Sequence, residues 1–176
     1  MIFLKSNDEF YLKSVINLIS QRKLPITIDK SDKHFFDLEI FFEKYQIKIT
    51  STTKMSTLKL PISFELFLSE IKNHFVGQYV KVGILNYEPI NQSINYNQQV
   101  IYLNYIHNII ITNLILNTDM GVDKILLYKL IWSQDKNIQI NKLDTHITNL
   151  KNKIKDSFNI DLKIVTNSGF LKLIVD

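Results

Sequence analysis

The amino-acid sequence predicts two successive units: a β/α unit on a parallel sheet over residues 1–76, then an α+β unit over residues 77–176. Three observations predict this. Short apolar runs alternate with helical periodicity as far as Phe75, runs rich in Val, Ile and Tyr then replace them, and the last third carries three helical stretches closed by a Gly-containing hairpin.

Residues 2–4 read as a strand, and Phe10, Val15, Leu18 and Ile19 recur at helical spacing before Leu24-Pro25 stops the helix. Residues 24–28 follow as a second strand, 35–45 as a helix, 46–50 as a strand and 58–60 as a short strand ending at Pro61. Ser63 is placed to cap a helix whose Phe64, Phe67, Leu68, Ile71 and Phe75 share one face, leaving Leu66 off that face. The boundary falls at residues 76–78. Residues 79–85, 92–96 and 99–103 read as strands, with Asn97-Gln98 as a hairpin turn. Residues 105–116, 123–132 and 141–155 then read as helices, the second capped by Asp123 and the third carrying Leu143, Ile147, Leu150 and Ile154 on one seam. Strands at 162–166 and 170–175 flank Asn167-Ser168-Gly169. Strands, three helices and a hairpin in that order describe a winged helix.

Composition excludes several kinds of chemistry. With no Cys among 176 residues there is no disulfide framework, thiolate metal site or cysteine nucleophile, which suits a reducing compartment, and the expected location is the cytoplasm. The four His have no spacing that gathers two on one helical face, so no metal is expected. No apolar run has the length of a membrane span or of a secretory leader. No nucleophile is patterned beside a base, and no cofactor motif occurs, so the expected function is not enzymatic. The 28 Ile and 17 Asn against no Ala and a single Arg, Arg22, mark a very A+T-rich gene, so Lys in place of Arg carries less chemical meaning here. The net charge of +4 permits an anionic partner without demanding one.

The third predicted helix holds the most informative pattern. Its seam leaves Lys142, Thr145, His146, Thr148, Asn149, Lys151, Asn152, Lys153 and Lys155 outside, and residues 136–155 carry five Lys and one Asp, Asp144. Such a helix can enter a major groove with Lys on phosphates and Asn or Thr on base edges. A Lys-rich helix face is also an ordinary solvated surface. Its position between a turn-linked helix and a terminal hairpin favours double-stranded DNA as the partner.

These residues resemble the C-terminal effector domain of bacterial two-component response regulators of the OmpR/PhoB type, over residues 79–176. Ile131-Trp132 resembles the family's Val-Trp helix end, and residues 141–154 resemble its recognition helix, with Asp144, His146, Ile147 and Leu150 identical to the pattern. Leu103-Asn104 stands at the start of helix one, and Asn167 at the wing Arg. The resemblance implies DNA contacts from Trp132, Asn141, Lys142, Thr145, His146, Thr148, Asn149, Lys151, Asn152, Lys153 and Asn167. Asn141, Thr148 and Asn149 stand where the family often has Arg, so bidentate Arg contacts to guanine are absent and Asn149 is placed to read adenine. Asp144 is expected to pair within the domain, and Tyr102, Tyr105 and Tyr128 to lie in its core.

Residues 1–20 and 58–75 are similar to the first strand and helix, and to the last strand, Lys-Pro loop and final helix, of a CheY-like receiver. The implied fold is a truncated receiver followed by an OmpR-type winged helix. Ser6-Asn7 replaces the acidic pair that would hold Mg²⁺, Leu60 replaces the Lys before Pro61, Thr50 or Ser51 offers a hydroxyl after the fourth strand, and Asp29 is the phosphoacceptor candidate. A pocket altered at Ser6, Asn7 and Leu60 implies a receiver inactive in phosphorylation. The expectation is therefore a phosphorylation-independent, cofactor-free transcriptional regulator that dimerises through its N-terminal unit. The alternative is an interaction or scaffold module that retains both folds without specific DNA binding.

Overall fold

The computed structural model describes residues 2–21, 26–27 and 35–175. The chain divides into two compact units, Met1–Gln78 and Tyr79–Asp176.

In the first unit, β1 (Ile2–Ser6), α1 (Glu9–Gln21) and β2 (Ile26–Thr27) form a β-α-β crossover, with β1 parallel to β2. β3 (Phe36–Glu43), β4 (Gln46–Ser51) and β5 (Met55–Lys59) continue the sheet in the order β2-β1-β3-β4-β5. β3 is parallel to β1, whereas β3-β4-β5 is an antiparallel meander. The helix expected over 35–45 is therefore strand β3. Leu38 and Ile40 point into the core while Asp37, Phe41 and Glu43 point outward, a period of two, and ladders on both sides satisfy its backbone. The expected parallel sheet reduces to β1 and its two neighbours.

Asp8 caps α1, accepting from the backbone N–H of Phe10 and Tyr11 at 2.9 and 3.1 Å. The inward line of α1 ends at the fully buried Ile19, and Phe10 and Leu18, expected inside, face outward. Ser63 caps α2 (Phe64–Asn73) by accepting from Leu66 N–H at 3.2 Å; Phe67, Leu68, Ile71 and Phe75 are buried and Leu66 is 56% exposed. Below α2, the buried His74 ring lies between two hydroxyls, Ser56 Oγ at 2.8 Å and Ser51 Oγ at 3.0 Å.

The second unit opens with an antiparallel meander of β6 (Val80–Val82), β7 (Leu85–Glu88), β8 (Ser93–Tyr96) and β9 (Gln99–Tyr102). The single strand expected over 79–85 is broken at Gly83, whose φ of 58° turns the chain, and β7 follows it as an unexpected strand. Asn97 and Gln98 form the β8-β9 turn with φ of 46° and 67°. Three helices follow: α3 (Tyr105–Leu116), α4 (Lys124–Ile131) and α5 (Ile140–Phe158), the first two capped by Asn104 and Asp123.

β11 (Ile164–Asn167) and β12 (Phe170–Leu173) form the terminal hairpin, joined along β12 by the two-residue β10 (Val122–Asp123). Gly121, with φ of 81°, lets β10 approach, because a β-carbon there would stand 2.8 Å from the Leu171 carbonyl oxygen. Leu143, Ile147, Leu150, Ile154 and Phe158 of α5 are buried, with Ile110, Ile111 and Leu114 of α3 in the same core. Meander and helices are tied by the buried Tyr87 hydroxyl, which is 2.6 Å from Asn108 Oδ1 and from Thr112 Oγ1. Burial raises the Tyr87 phenol well above its ordinary value.

Candidate nucleic-acid interface

Helix α5 exists because its apolar residues recur at spacings of four, three and four, and that spacing also fixes its outer face. Asn141, Thr145, Thr148, Asn149 and Asn152 are all exposed. At 3.6 residues per turn they span an arc of roughly 100°, opposite the buried seam. These five residues are neutral and rich in short hydrogen-bonding groups, and the exposed Asp156 falls on the same arc in the last turn. The lysines lie on its shoulders, Lys142 and Lys153 on one side and Lys151 and Lys155 on the other. Thr145 donates to its own helix at Asn141 O, 2.8 Å away, whereas among the described residues the side chains of Thr148, Asn149 and Asn152 have no hydrogen-bond partner.

The shoulder cations are partly engaged within the unit. Lys142 donates to Asp135 at 3.0 Å and lies 4.3 Å from the Trp132 ring centroid. Lys153 donates to the Tyr102 carbonyl at 2.7 Å, and Lys155 pairs with Asp161 at 2.9 Å. On the hairpin, Lys172 donates to the Asp119 carbonyl at 2.9 Å, while Asn167 is exposed at the tip. Lys151 is half-buried. All of these lysines except Lys151 are either exposed or held by bonds at the surface, where each ammonium keeps further donors for a phosphate. Asp144, expected to pair internally, bridges to Lys124 at the start of α4.

Trp132 and His146 occupy a different place from that arc. Trp132 caps α4 and packs, with tilted ring planes, 4.7 Å from Tyr128 and 5.6 Å from His146, ring centroid to ring centroid. His146 in turn lies 5.8 Å from the buried His107. Burial holds both imidazoles below their ordinary pKa of 6.5; the neighbouring His146 and Lys153 add to this at His107, and Lys142 adds to it at His146. Tyr128 is buried as expected and donates to Asp135 at 2.7 Å, but Tyr102 and Tyr105 lie at the surface. The hydrogen bond from Tyr128, then that from Lys142, holds the Asp135 carboxyl below its usual range. Lys124, which pairs with Asp144 from the start of α4, is the residue of this surface that no local spacing implied.

In the first unit, the described residues expected to form an altered phosphorylation pocket have structural partners. Ser6 Oγ accepts from Asp8 N–H at 3.1 Å. Asn7 clamps the end of β3, accepting from Phe42 N–H at 2.9 Å and donating to Phe42 O at 3.2 Å. Ser51 is held by His74, and Leu60 lies in the loop between β5 and α2 with its N–H on Tyr45 O. Asp29 lies outside the described residues. No group of three or more potential metal ligands occurs among the described residues, and none of their helices is long and apolar enough to cross a membrane.

No family model matches this chain, and no curated protein matches it. Among solved structures it is similar to the DNA-binding domain of Escherichia coli CadC, at 17% identity over 56% of this chain and 92% of that one, with a TM-score of 0.48. It is also similar to a RitR mutant, at 12% identity over 99% of this chain and 66% of that one, with a TM-score of 0.46. A third likeness is to a redox sensor of the streptococci evolved from two-component response regulators, at 14% identity over 99% of this chain and 67% of that one, with a TM-score of 0.44.

Proposed function

We propose that this chain is a DNA-binding regulator of the OmpR/PhoB response-regulator type, in which a winged helix reads the duplex and a cut-down receiver works without phosphorylation. It acts by binding, not by catalysis. The observation that carries the reading is the cross-section of α5, an arc of Asn and Thr, joined by Asp156 only in the last turn, between two shoulders of lysines. A helix lying in a major groove meets base edges along its centre line and phosphates on both flanks, and the order of groups around α5 matches that order. Asn149 and Asn152 suit adenine, and the absence of Arg from the second unit removes the commonest contact to guanine.

Salt titration of binding to A+T-rich duplexes tests this. With roughly four to six phosphates neutralised by α5 and the wing, log K should fall against log salt with a slope of about −4 to −5. Lys151→Ala lowers affinity on every sequence and reduces the slope by about one, while Asn149→Ala removes preference between sites and leaves non-specific binding nearly intact. Absence of binding at low salt overturns the reading. Pairing of two copies through the exposed Leu66 of α2 belongs to the same reading and is checked by sedimentation.

A second reading is favoured by α4, whose Leu126 is 66% exposed, with Ile125 and Leu130 also exposed. These are groups suited to a protein partner, not to phosphates. A chain that ignores every duplex in the titration is an interaction module instead.

A further inference from the structure

We propose that the first unit holds a binding cleft for a small organic monoanion with an apolar body, such as an aromatic or medium-chain carboxylate. The cleft has a volume of about 600 Å³, within the size range of small-molecule sites. Its walls include Val15 of α1, Phe42 of β3, Ile47 of β4, Leu60 of the loop after β5 and Phe67 of α2, with Tyr11 of α1 beside Phe42. Tyr11 and Phe42 stack at 4.9 Å with planes 20° apart, so one wall is a pair of nearly parallel rings. This wall lies beyond the carboxyl ends of the parallel strands β1 and β3, where Asn7 pins Phe42, and open α/β sheets bind ligands at such edges.

Among the described residues, two lining groups are formally charged, Glu43 and Lys44. A hydrogen bond from Gln46, then one from Lys48, holds the Glu43 carboxyl below its usual range, and Lys48 at 2.6 Å neutralises its charge. Lys44 has no carboxylate partner among the described residues, and its ammonium lies 5.0 Å from the Tyr45 ring. Ser63 accepts from Leu66 N–H and keeps its own hydroxyl hydrogen to donate. A cleft with apolar walls and one uncompensated cation at its rim selects an apolar body with a single negative charge. A phosphoryl group, small and fully polar, would leave these walls facing water.

The test uses the full chain with 4-phenylbutyrate and its neutral counterpart 4-phenylbutan-1-ol, followed by calorimetry and methyl NMR. The acid should bind saturably with a Kd below about 1 mM. It should shift the methyl signals of Val15, Ile47 and Leu60. The alcohol should bind roughly three- to fivefold more weakly, and Lys44→Gln should erase that difference. Leu60→Trp, at an exposed loop position, should fill the cleft and abolish binding, with Val15→Trp as the second filling variant. Equal binding of acid and alcohol by the wild-type chain, shifts confined to other methyls, or full binding by a folded Leu60→Trp chain would overturn the proposal. So would a dimer in sedimentation that excludes the acid, because the cleft would then belong to a second copy.

Discussion

The imidazole of His146 lies 5.6 Å from the indole of Trp132, the only tryptophan of the chain. A protonated imidazole at that range quenches indole emission. Because burial, and then Lys142, hold the His146 pKa below 6.5, emission should fall on acidification with a midpoint below pH 6.5. His146→Asn should remove the transition. A midpoint above 6.5 would show that the ring is not desolvated as the structure has it.

Acid should also destabilise both units. His74, His107 and His146 all have lowered pKa values with burial as the largest cause; Lys54 adds to the lowering at His74 and Glu70 opposes it. Below 6.5 the unfolded chain binds protons that the folded chain refuses. Stability is therefore full above 6.5 and falls as pH drops through the folded values. Urea midpoints measured between pH 8 and 5 check this, and a flat profile would contradict it.

Gly121→Ala should cost about 2–3 kcal/mol, since it adds a left-handed strain to a contact of 2.8 Å with the Leu171 carbonyl oxygen. Gly77→Ala, at a similar φ of 76° but with nothing within 4 Å, should cost only about 1 kcal/mol. Denaturant unfolding of the two variants separates close approach from backbone strain.

Acetyl phosphate or beryllofluoride with Mg²⁺ should leave mass, oligomeric state and thermal midpoint unchanged. Ser6 and Asn7 are neutral and bonded to the backbone of Asp8 and Phe42, and Asp8 Oδ1 caps α1, so the two positions where a cation site would need an acidic pair carry no carboxylate. Mass spectrometry showing a Mg²⁺-dependent adduct on Asp29 would overturn this expectation.

Much of the second unit was legible in the sequence because its signals are local. The seam of α5, the caps Asn104 and Asp123 and the turns at Asn97-Gln98 and Ser168-Gly169 depend on residues within one or two helical turns of each other. Residues 35–45 misled because the paired aromatics Phe35-Phe36 and Phe41-Phe42 obscure the alternation of Asp37, Leu38, Glu39 and Ile40. That segment became a strand through its ladders to β1 and β4, which join residues distant in sequence.

By itself, the sequence determined the periodicity of α5, its outer arc of Asn and Thr and its shoulder lysines, because the 3.6-residue turn assigns every position an angle. Only the tertiary structure decided that Trp132, Lys142 and His146 gather into one cluster, that Lys153 reaches the Tyr102 carbonyl 51 residues away, and that Tyr11, Phe42 and Phe67 enclose a cleft. Those relationships depend on how strands and helices far apart in the chain pack together, and packing is a property of the whole fold that no local spacing encodes.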